Sequence, residues 1–325
     1  MAYDQTKLAS VSETIKSNLL SGDKDLIKSA GLAASEYFRV EIRENGIRRQ
    51  ITPPTTVTKE NFDEAEDTDF PIMYVPVAPQ SAGARMVSFE TGPRGNVIHS
   101  RKVRVEFNRI MTDKYSIDKI RLETYKMPIL DIFYDLMLKD IMDVEDKTWM
   151  DLDKDICGTI NTVNADMGCC RYVNAGVLKG STAREALVHL KKGINIAPGN
   201  LQASKFLMNN LTYCDFGALG REYVGGDMAQ EIFVNGVTLT KVMGVNTVVT
   251  TKKELVPNND VFIYADPKYY GGFYTFKDVA MVTDEKDEIW LTFFAHETVG
   301  GVIANAAGVA RASLTGTLKD WTTGL

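Results

Sequence analysis

The stretch PILDIFYDLMLKDIMDVEDKTWMDLDKDI, from Pro128 to Ile156, has the longest helical periodicity in the chain. Its apolar residues recur every three or four positions and form one stripe with a gap at Thr148: Leu130, Phe133, Met137, Ile141, Val144, Leu152 and Ile156. The other face is acidic and carries Asp131, Asp135, Asp140, Asp143, Glu145, Asp146, Asp151, Asp153 and Asp155. A proline fits the first turn of a helix. We therefore predict a single helix of about 42 Å, a length that suggests a strut.

The segment before this helix, from Phe70 to Arg109, has the two-residue period of β-strands. IMYVPVAP is extended, and the two strand-like runs ARMVSFE and NVIHSRKVRVEF surround TGPRG at 91–95, a strong turn signal. In KVRVEF (102–107) apolar and charged residues alternate, which predicts a two-stranded ribbon with one polar face. Against Glu90 and Glu106, the ribbon carries Arg85, Arg94, Arg101, Lys102, Arg104 and Arg109. A lone hairpin is barely stable in water, so this ribbon needs a surface to lie on.

Two segments of different character precede the ribbon. Residues 1–46 are predicted to be helical, and Gly46 is expected to be the C-cap of a helix that starts at Asp25. Pro53 and Pro54 then indicate an extended linker. The linker leads into KENFDEAEDTD (59–69), which has six acids and one base. We interpret this run as a solvated acidic loop.

The second half of the chain mixes short helices and short strands. One helix is predicted from Ser181, a good N-cap, to Asn195, and another near residues 213–219. The strand-like runs are KFLMNN, EIFVNGVTLTKV, TVVTT, VFIYADP, FYTFK, VAMVTDE and EIWLTFF. The closing segment HETVGGVIANAAGVARASL (296–314) is small and apolar, and no helix-forming run follows its glycines. A strand and turn is therefore favoured over a phosphate-binding loop, and the fold class is α+β.

The composition of the chain limits the classes of protein to which it could belong. The chain has 325 residues, 44% hydrophobic and 25% charged, which suits about two globular domains. A net charge of −6 argues against a dedicated nucleic-acid binder. No apolar run is long enough to span a membrane, and the N-terminus lacks the pattern of a signal peptide. We expect a protein of a reducing cytoplasm with its four cysteines as thiols.

Motifs of catalysis or metal binding are absent from the sequence. The three histidines, His99, His189 and His296, have no zinc-site spacing, and neither GxSxG nor a P-loop occurs. A Cys214–His189 nucleophile pair stays open, because spatial neighbours need not be sequence neighbours. DLDKD (151–155) lacks the glycine and glutamate of a calcium loop. We expect no enzyme, no metal and no cofactor.

Along the chain, the predicted elements are a helical arm, a basic ribbon, a very long helix, a mixed α+β region and a tail of small residues. This order resembles the tailed-bacteriophage major capsid protein with the Hong Kong 97-type fold. The resemblance implies an E-loop at about Phe70 to Arg109, a spine helix of the peripheral (P) domain at about Met127 to Ile156, and a compact axial (A) domain. The tail echoes the family pattern G-x-x-x-x-x-P-x-A-V-x-x-L at Gly300 or Gly301, Asn305, Ala307, Val309 and Leu314, with Ala306 where the family usually has proline.

The resemblance also implies boundaries and a function. The N-terminal arm would cover 1–52, the acidic linker and E-loop 53–115, the P domain 116–195, the A domain 196–290, and the return strand to the P domain with the C-terminus 291–325. The protein would assemble in a host bacterial cytoplasm into pentamers and hexamers of an icosahedral head. Its partners would be itself, a scaffolding protein, a portal, a decoration protein where one exists, and packaged double-stranded DNA bound without sequence preference.

Charge suggests how copies would meet. The expected inter-subunit contacts are between cations of the ribbon and acids of the preceding loop or of the long helix on a neighbour. The candidates are Arg85, Arg94, Arg101, Lys102 and Arg104 with Glu64, Glu66 and Asp67. Three other functions stay open: the shell of an encapsulin-type nanocompartment, another virion structural protein, and an enzyme with an unrecognised site.

Overall fold

The computed structural model describes residues 25, 26, 29, 46–65, 67–77, 101–124, 129–157, 172–177, 187, 188, 190–194, 201–217, 241–258, 260–286 and 289–315. The chain divides into two compact units. The first comprises Met1–Lys59, Phe107–Leu152 and Phe273–Gly300, and the second comprises Glu60–Glu106, Asp153–Gly272 and Gly301–Leu325.

The described residues form helices and strands of very different lengths. The helices are α1 (Ile47–Ile51), α2 (Lys119–Thr124), α3 (Ile129–Cys157), α4 (Asn210–Gly217) and α5 (Pro267–Tyr270). The strands are β1 (Pro54–Thr56), β2 (Asp63–Ala65), β3 (Thr68–Val77), β4 (Arg101–Met111), β5 (Tyr115–Asp118), β6 (Tyr172–Val177), β7 (Ala203–Asn209), β8 (Lys241–Val242), β9 (Val245–Thr250), β10 (Asp260–Ala265), β11 (Gly271–Lys286), β12 (Trp290–Ile303) and β13 (Val309–Thr315). Residues 187, 188 and 190–194 are also helical. The predicted α+β class is confirmed.

The first unit is built on a sheet whose strands follow the order β1-β11-β12-β4. β1 pairs in parallel with the start of β11, from Pro54↔Phe273 onward. β12 pairs antiparallel with β4 over its residues 296–300 and with β5 over its residues 290–293. β4 and β5 thus follow the same edge of β12 with a break at Thr112, whose N–H donates to the Ala295 carbonyl at 2.9 Å.

Helix α3 covers this sheet with its apolar stripe. The buried cluster comprises Ile117, Tyr134, Met137, Leu138, Ile141, Val279, Met281, Leu291, Phe293 and Ala295. The helical members recur three or four positions apart, so they share one face of the helix. Each large apolar side chain buried here stabilises the unit by roughly 1.5–3 kcal/mol, so this cluster holds the helix of 29 residues on the strands.

The second unit contains a six-stranded sheet in the order β6-β13-β10-β7-β9-β8. β10 lies between β13 and β7, and all six of its residues are buried. A strand buried on both faces needs a continuous apolar run rather than an alternating one, as VFIYA provides. Between β8 and β9, Met243 and Gly244 both have positive φ, 52° and 79°, which is the geometry of a type I′ hairpin turn.

Several predicted boundaries were wrong. Gly46 is an N-cap with φ −68° and ψ 126°, rather than a C-cap, because it precedes α1. Pro54 belongs to a strand, and part of the acidic run forms β2 and pairs with β3. FYTFK and VAMVTDE are parts of one strand of 16 residues. Local propensity does not report the pairing of β1 with β11, since these two strands lie far apart in sequence.

The long helix is confirmed as Ile129–Cys157, but its two faces differ from the prediction. Val144 is 48% exposed although it was assigned to the apolar stripe. Glu145, Asp146 and Asp153 are buried although they were assigned to a solvated acidic face. Trp149 and Met150 of the same helix are buried, although the predicted stripe did not include them. Buried acids require partners, and those partners come from other elements.

The closing segment divides between the two units. β12 continues to Ile303, a short 3₁₀ turn spans Ala306–Gly308, and β13 then pairs antiparallel with β10 and parallel with β6. Asn305 caps the turn by accepting a hydrogen bond from the Ala307 N–H at 3.1 Å. Among the residues that the structure describes, no helix is long and apolar enough to cross a membrane.

Candidate functional site

Within the segment predicted as a ribbon upstream of the long helix, the described strands are β3 and β4. The two strands pair antiparallel from Ile72↔Glu106 to Val77↔Arg101. β2 adds a short third strand on the other side of β3. The predicted turn at 91–95 and the run ARMVSFE lie outside the described residues.

The register gives the ribbon two different faces. Met73 is opposite Val105, and Val75 is opposite Val103, so these four apolar side chains share one face. On the other face Tyr74 is opposite Arg104, with Lys102 and Glu106 two residues to either side. Val105 is 1% exposed whereas Lys102 and Glu106 are exposed. The predicted polar face is therefore confirmed for these residues.

The acidic segment is held on the ribbon of its own chain. Arg104 Nη1 donates to Asp67 Oδ2 at 2.5 Å, and Arg104 Nε lies 3.2 Å from Glu106 Oε1. The hydrogen bond from Arg104 lowers the pKa of the Asp67 carboxyl. Asp63 Oδ2 also accepts from the Tyr74 N–H at 3.0 Å. Two candidates that were assigned to opposite sides of an inter-subunit contact, Arg104 and Asp67, thus meet within one subunit.

The other charged candidates have different surroundings. Arg101, Lys102 and Glu64 are exposed and form no ion pair with another described residue. Arg85, Arg94 and Glu66 lie outside the described residues. The cations that the structure leaves available at the described end of the ribbon are therefore Arg101 and Lys102.

The structure gives the surroundings of some of the residues that were considered for a catalytic site. His296 lies half-buried on β12, and burial together with Arg109 and Lys277 lowers its pKa. Cys214 is exposed on α4, and His189 lies outside the described residues. Asp153 of DLDKD is buried in α3 and accepts a hydrogen bond from the Tyr264 hydroxyl at 2.6 Å. Within the described ranges, no group of three or more His, Cys, Asp or Glu side chains could hold a metal ion.

Sequence reasoning missed a buried ionic cluster in the first unit. The five-residue helix α1 carries Arg48 and Arg49, which are 0% and 6% exposed. Asp146 of α3 accepts from the N–H groups of Ile47 and Arg48 at 3.3 and 2.9 Å, and so caps α1 from another element. The guanidinium of Arg48 lies 2.6 Å from the centroid of the Trp149 ring. The signal in the sequence was the pair Glu145 and Asp146 on a helix that also has an apolar stripe. Without knowledge of the arginines that contact them, the sequence does not show whether these acids are buried or exposed.

Comparison with known proteins identifies the fold. No family model matches the sequence, and no curated protein matches it. A chain from the mature capsid of bacteriophage PhiM1 matches with a TM-score of 0.56 and 9% identity, over 83% of this chain and 87% of that one. A chain from the capsid of cyanophage P-SCSP1u matches with a TM-score of 0.53 and 11% identity, over 81% and 87%. The fold is that of a tailed-phage major capsid protein.

A solved structure described as a virus-like particle is also similar to this chain. A chain of the virus-like particle from Pyrococcus furiosus matches with a TM-score of 0.53 and 13% identity, over 86% of this chain and 96% of that one. At such low identity the likeness establishes the fold alone. The individual contacts of this chain have to be argued from its own residues.

Proposed function

We propose that this chain is the major capsid protein of a tailed phage and assembles through pentamers and hexamers into an icosahedral head around double-stranded DNA. The observation that carries the proposal is the capsid fold itself, which extends over more than four fifths of the chain in the PhiM1 match. In this reading the ribbon β3–β4 is the E-loop, and α3 is the spine helix of the P domain. A shell built from identical subunits needs contacts that close into rings.

The ribbon is a suitable contact element because its own chain supports only part of it. Among the described residues, β4 is paired with β12 from Phe107 onward, whereas Arg101–Glu106 have β3 as their only partner strand. Met73, Val75 and Val103 are half-buried on the apolar face. A two-stranded ribbon of this kind is stabilised when a further surface covers it. In the proposed shell that surface belongs to a neighbouring subunit.

Charge would steer this contact rather than supply most of its free energy. Arg101 and Lys102 are the available cations, and the exposed Glu64 and the acids on the open face of α3 are their proposed receivers on a neighbour. An exposed pair contributes at most about 1 kcal/mol. Repetition at every interface of a shell makes such weak contacts decisive for geometry while the assembly stays reversible.

The remaining partners follow from the proposed role. A scaffolding protein, a portal and, in some phages, a decoration protein would bind the assembling shell. DNA would be enclosed without sequence-specific contacts, which is compatible with a net charge of −6. Assembly would take place in the host cytoplasm, and the mature location would be the virion.

Electron microscopy of the purified chain, with sedimentation velocity on the same sample, tests the proposal. Hollow polyhedra or rings of five and six subunits are the expected result. A chain that stays monomeric or dimeric with crowding agents and with a co-expressed scaffold would contradict it.

An encapsulin-type nanocompartment is the second candidate, and the match to the Pyrococcus furiosus virus-like particle is compatible with it. The contents of shells purified from the native source separate the two functions. Nuclease-protected genomic DNA supports the phage head. A co-purifying protein cargo with no long DNA supports the compartment.

A further inference from the structure

Among the residues that the structure describes, the buried ionic cluster of the first unit holds more acids than bases. Its bases are Arg48 and Arg49 of α1. Its acids are Glu145 and Asp146 of α3, Asp278 of β11 and Glu297 of β12. If every group were ionised, four carboxylates would face two guanidinium groups. Burying charge without a partner costs free energy. We therefore expect one carboxyl group of this cluster to be protonated.

Arg49 is the centre of the cluster. Its Nη2 lies 2.8 Å from Glu297 Oε2, and its Nε lies 3.2 Å from Glu145 Oε1. Its Nη1 lies 3.7 Å from Asp278, whose side chain is 41% exposed. One guanidinium thus connects α1 to α3, β11 and β12. The segment Gly46–Thr52 is attached to its unit through this residue, through Arg48 and the Asp146 cap, and through the buried side chains of Ile47 and Ile51.

Glu297 is the acid with the least compensation. Its side chain is 0% exposed, and its Oε1 has no hydrogen-bond partner among the described residues. Burial raises its pKa to about 8, with Glu145 and Asp278 adding to the rise and Arg49 opposing it. Burial also raises the pKa of Glu145. Because the two carboxylates interact through the same arginine, the proton belongs to the pair rather than to one residue.

We propose that Arg49, Glu145 and Glu297 form a proton-dependent clasp that holds the segment Gly46–Thr52 on α3, and that alkaline pH releases this segment. With one proton on the pair, Arg49 neutralises the remaining carboxylate and the clasp is closed. Loss of that proton leaves two buried carboxylates on one guanidinium beside Asp146 and Asp278. The segment is then released, because separation lets water solvate the excess charge. The clasp is a property of the single subunit and does not depend on shell assembly.

Trp149 offers a direct readout, because Arg48 stacks on its ring and it is 5% exposed. The chain has three tryptophans, and the double substitution W290F/W321F leaves Trp149 as the single reporter. In this background we expect a reversible red shift of its emission and increased acrylamide quenching between pH 6 and 9.5, with a midpoint near 8. Far-UV circular dichroism should change little, since only a short segment leaves.

Two further substitutions identify the group that titrates. Glu297→Gln imitates the protonated acid, so it should abolish the transition and keep Trp149 protected at pH 9.5. Glu145→Gln should do the same if Glu297→Gln fails to fold. Asp278→Asn is the matched control: it removes an acid of the same cluster that is partly solvated, so the transition should persist with a lower midpoint.

Three results would overturn the clasp. The first is a Trp149 emission that does not change from pH 6 to 9.5. The second is an unaltered transition in both glutamine variants, which would assign the change to another group. The third is loss of the circular dichroism signal together with the fluorescence change, which would indicate unfolding of the unit rather than release of the segment.

Discussion

A hydrogen bond between Tyr264 and Asp153 shows how single residues stabilise the second unit. The hydroxyl and the carboxylate are both fully buried, and burial followed by the charge of Asp153 raises the pKa of Tyr264 well above its ordinary value. Tyr264→Phe should lower the free energy of unfolding by about 1–3 kcal/mol, since it removes a donor from a buried carboxylate. Urea denaturation measures this difference. Tyr274→Phe, at a half-buried tyrosine, is the matched control and should change stability by less than about 0.5 kcal/mol.

Gly308 occupies a position that has no room for a side chain. A Cβ at this position would lie 2.2 Å from the Cβ of Tyr270, whose ring is fully buried. Gly308→Ala should therefore force backbone to move and cost about 1–3 kcal/mol. A thermal unfolding scan of the variant measures this loss of stability as a lower unfolding midpoint. An unchanged midpoint would mean that the turn at Ala306–Gly308 can shift without disturbing α5.

Residue roles were the part of the structure that sequence reasoning predicted least well. Glu145 and Asp151 are both acids on α3, yet one is buried and the other exposed. The difference is set by Arg49, which lies 96 positions from Glu145. Hydrophobic periodicity describes a helix face but carries no information on which distant cation will approach it. The same limit applies to Asp67, whose partner proved to be Arg104 of its own chain.

At the scale of elements, the ribbon yields a prediction about assembly. Arg101→Glu with Lys102→Glu reverses the available cations and leaves the Arg104–Asp67 pair in place. Loss of about 1.4 kcal/mol per subunit contact would raise the critical concentration for assembly about tenfold. Because both side chains are exposed, subunit stability should change by less than about 0.5 kcal/mol. Sedimentation velocity over a concentration series measures the first effect and urea denaturation the second.

The control for this prediction is a substitution of equal charge elsewhere. Lys192 and Lys253 are exposed and lie outside both the ribbon and α3, so Lys192→Glu with Lys253→Glu changes net charge by the same amount without touching either proposed contact surface. That variant should assemble at a concentration close to that of the original chain. Equal impairment of both variants would show that net charge, rather than the ribbon, controls assembly.

Elements were predictable where one periodicity extends over many residues. The long helix was located within a residue at each described end, and the alternation in KVRVEF gave the correct faces of β4. Pairings between strands were not predictable, because β1 and β11 are over 200 positions apart in sequence. The order of elements nevertheless pointed to the capsid fold that the solved structures share with this chain.

At the scale of the whole molecule, the clasp makes stability depend on pH. The pKa of Glu297 is raised from 4.5 to about 8 by folding. The folded chain therefore keeps a proton that the unfolded chain releases, and stability falls as pH rises between these values. His296 has a lowered pKa and acts in the opposite direction, but only as pH falls through its ordinary value of 6.5. The window from pH 6.5 to 8 isolates the contribution of the glutamate pair.

Urea denaturation of the single-tryptophan chain should show this decline within that window. One pKa unit corresponds to about 1.4 kcal/mol, so the effect between pH 4.5 and 8 is on the order of 4 kcal/mol, of which about 1.5 kcal/mol falls between pH 6.5 and 8. Glu297→Gln should flatten the curve, because an amide cannot release a proton. Stability that rises from pH 6.5 to 8 in the original chain would contradict the raised pKa. It would mean instead that the excess acids of the cluster are ionised and compensated throughout.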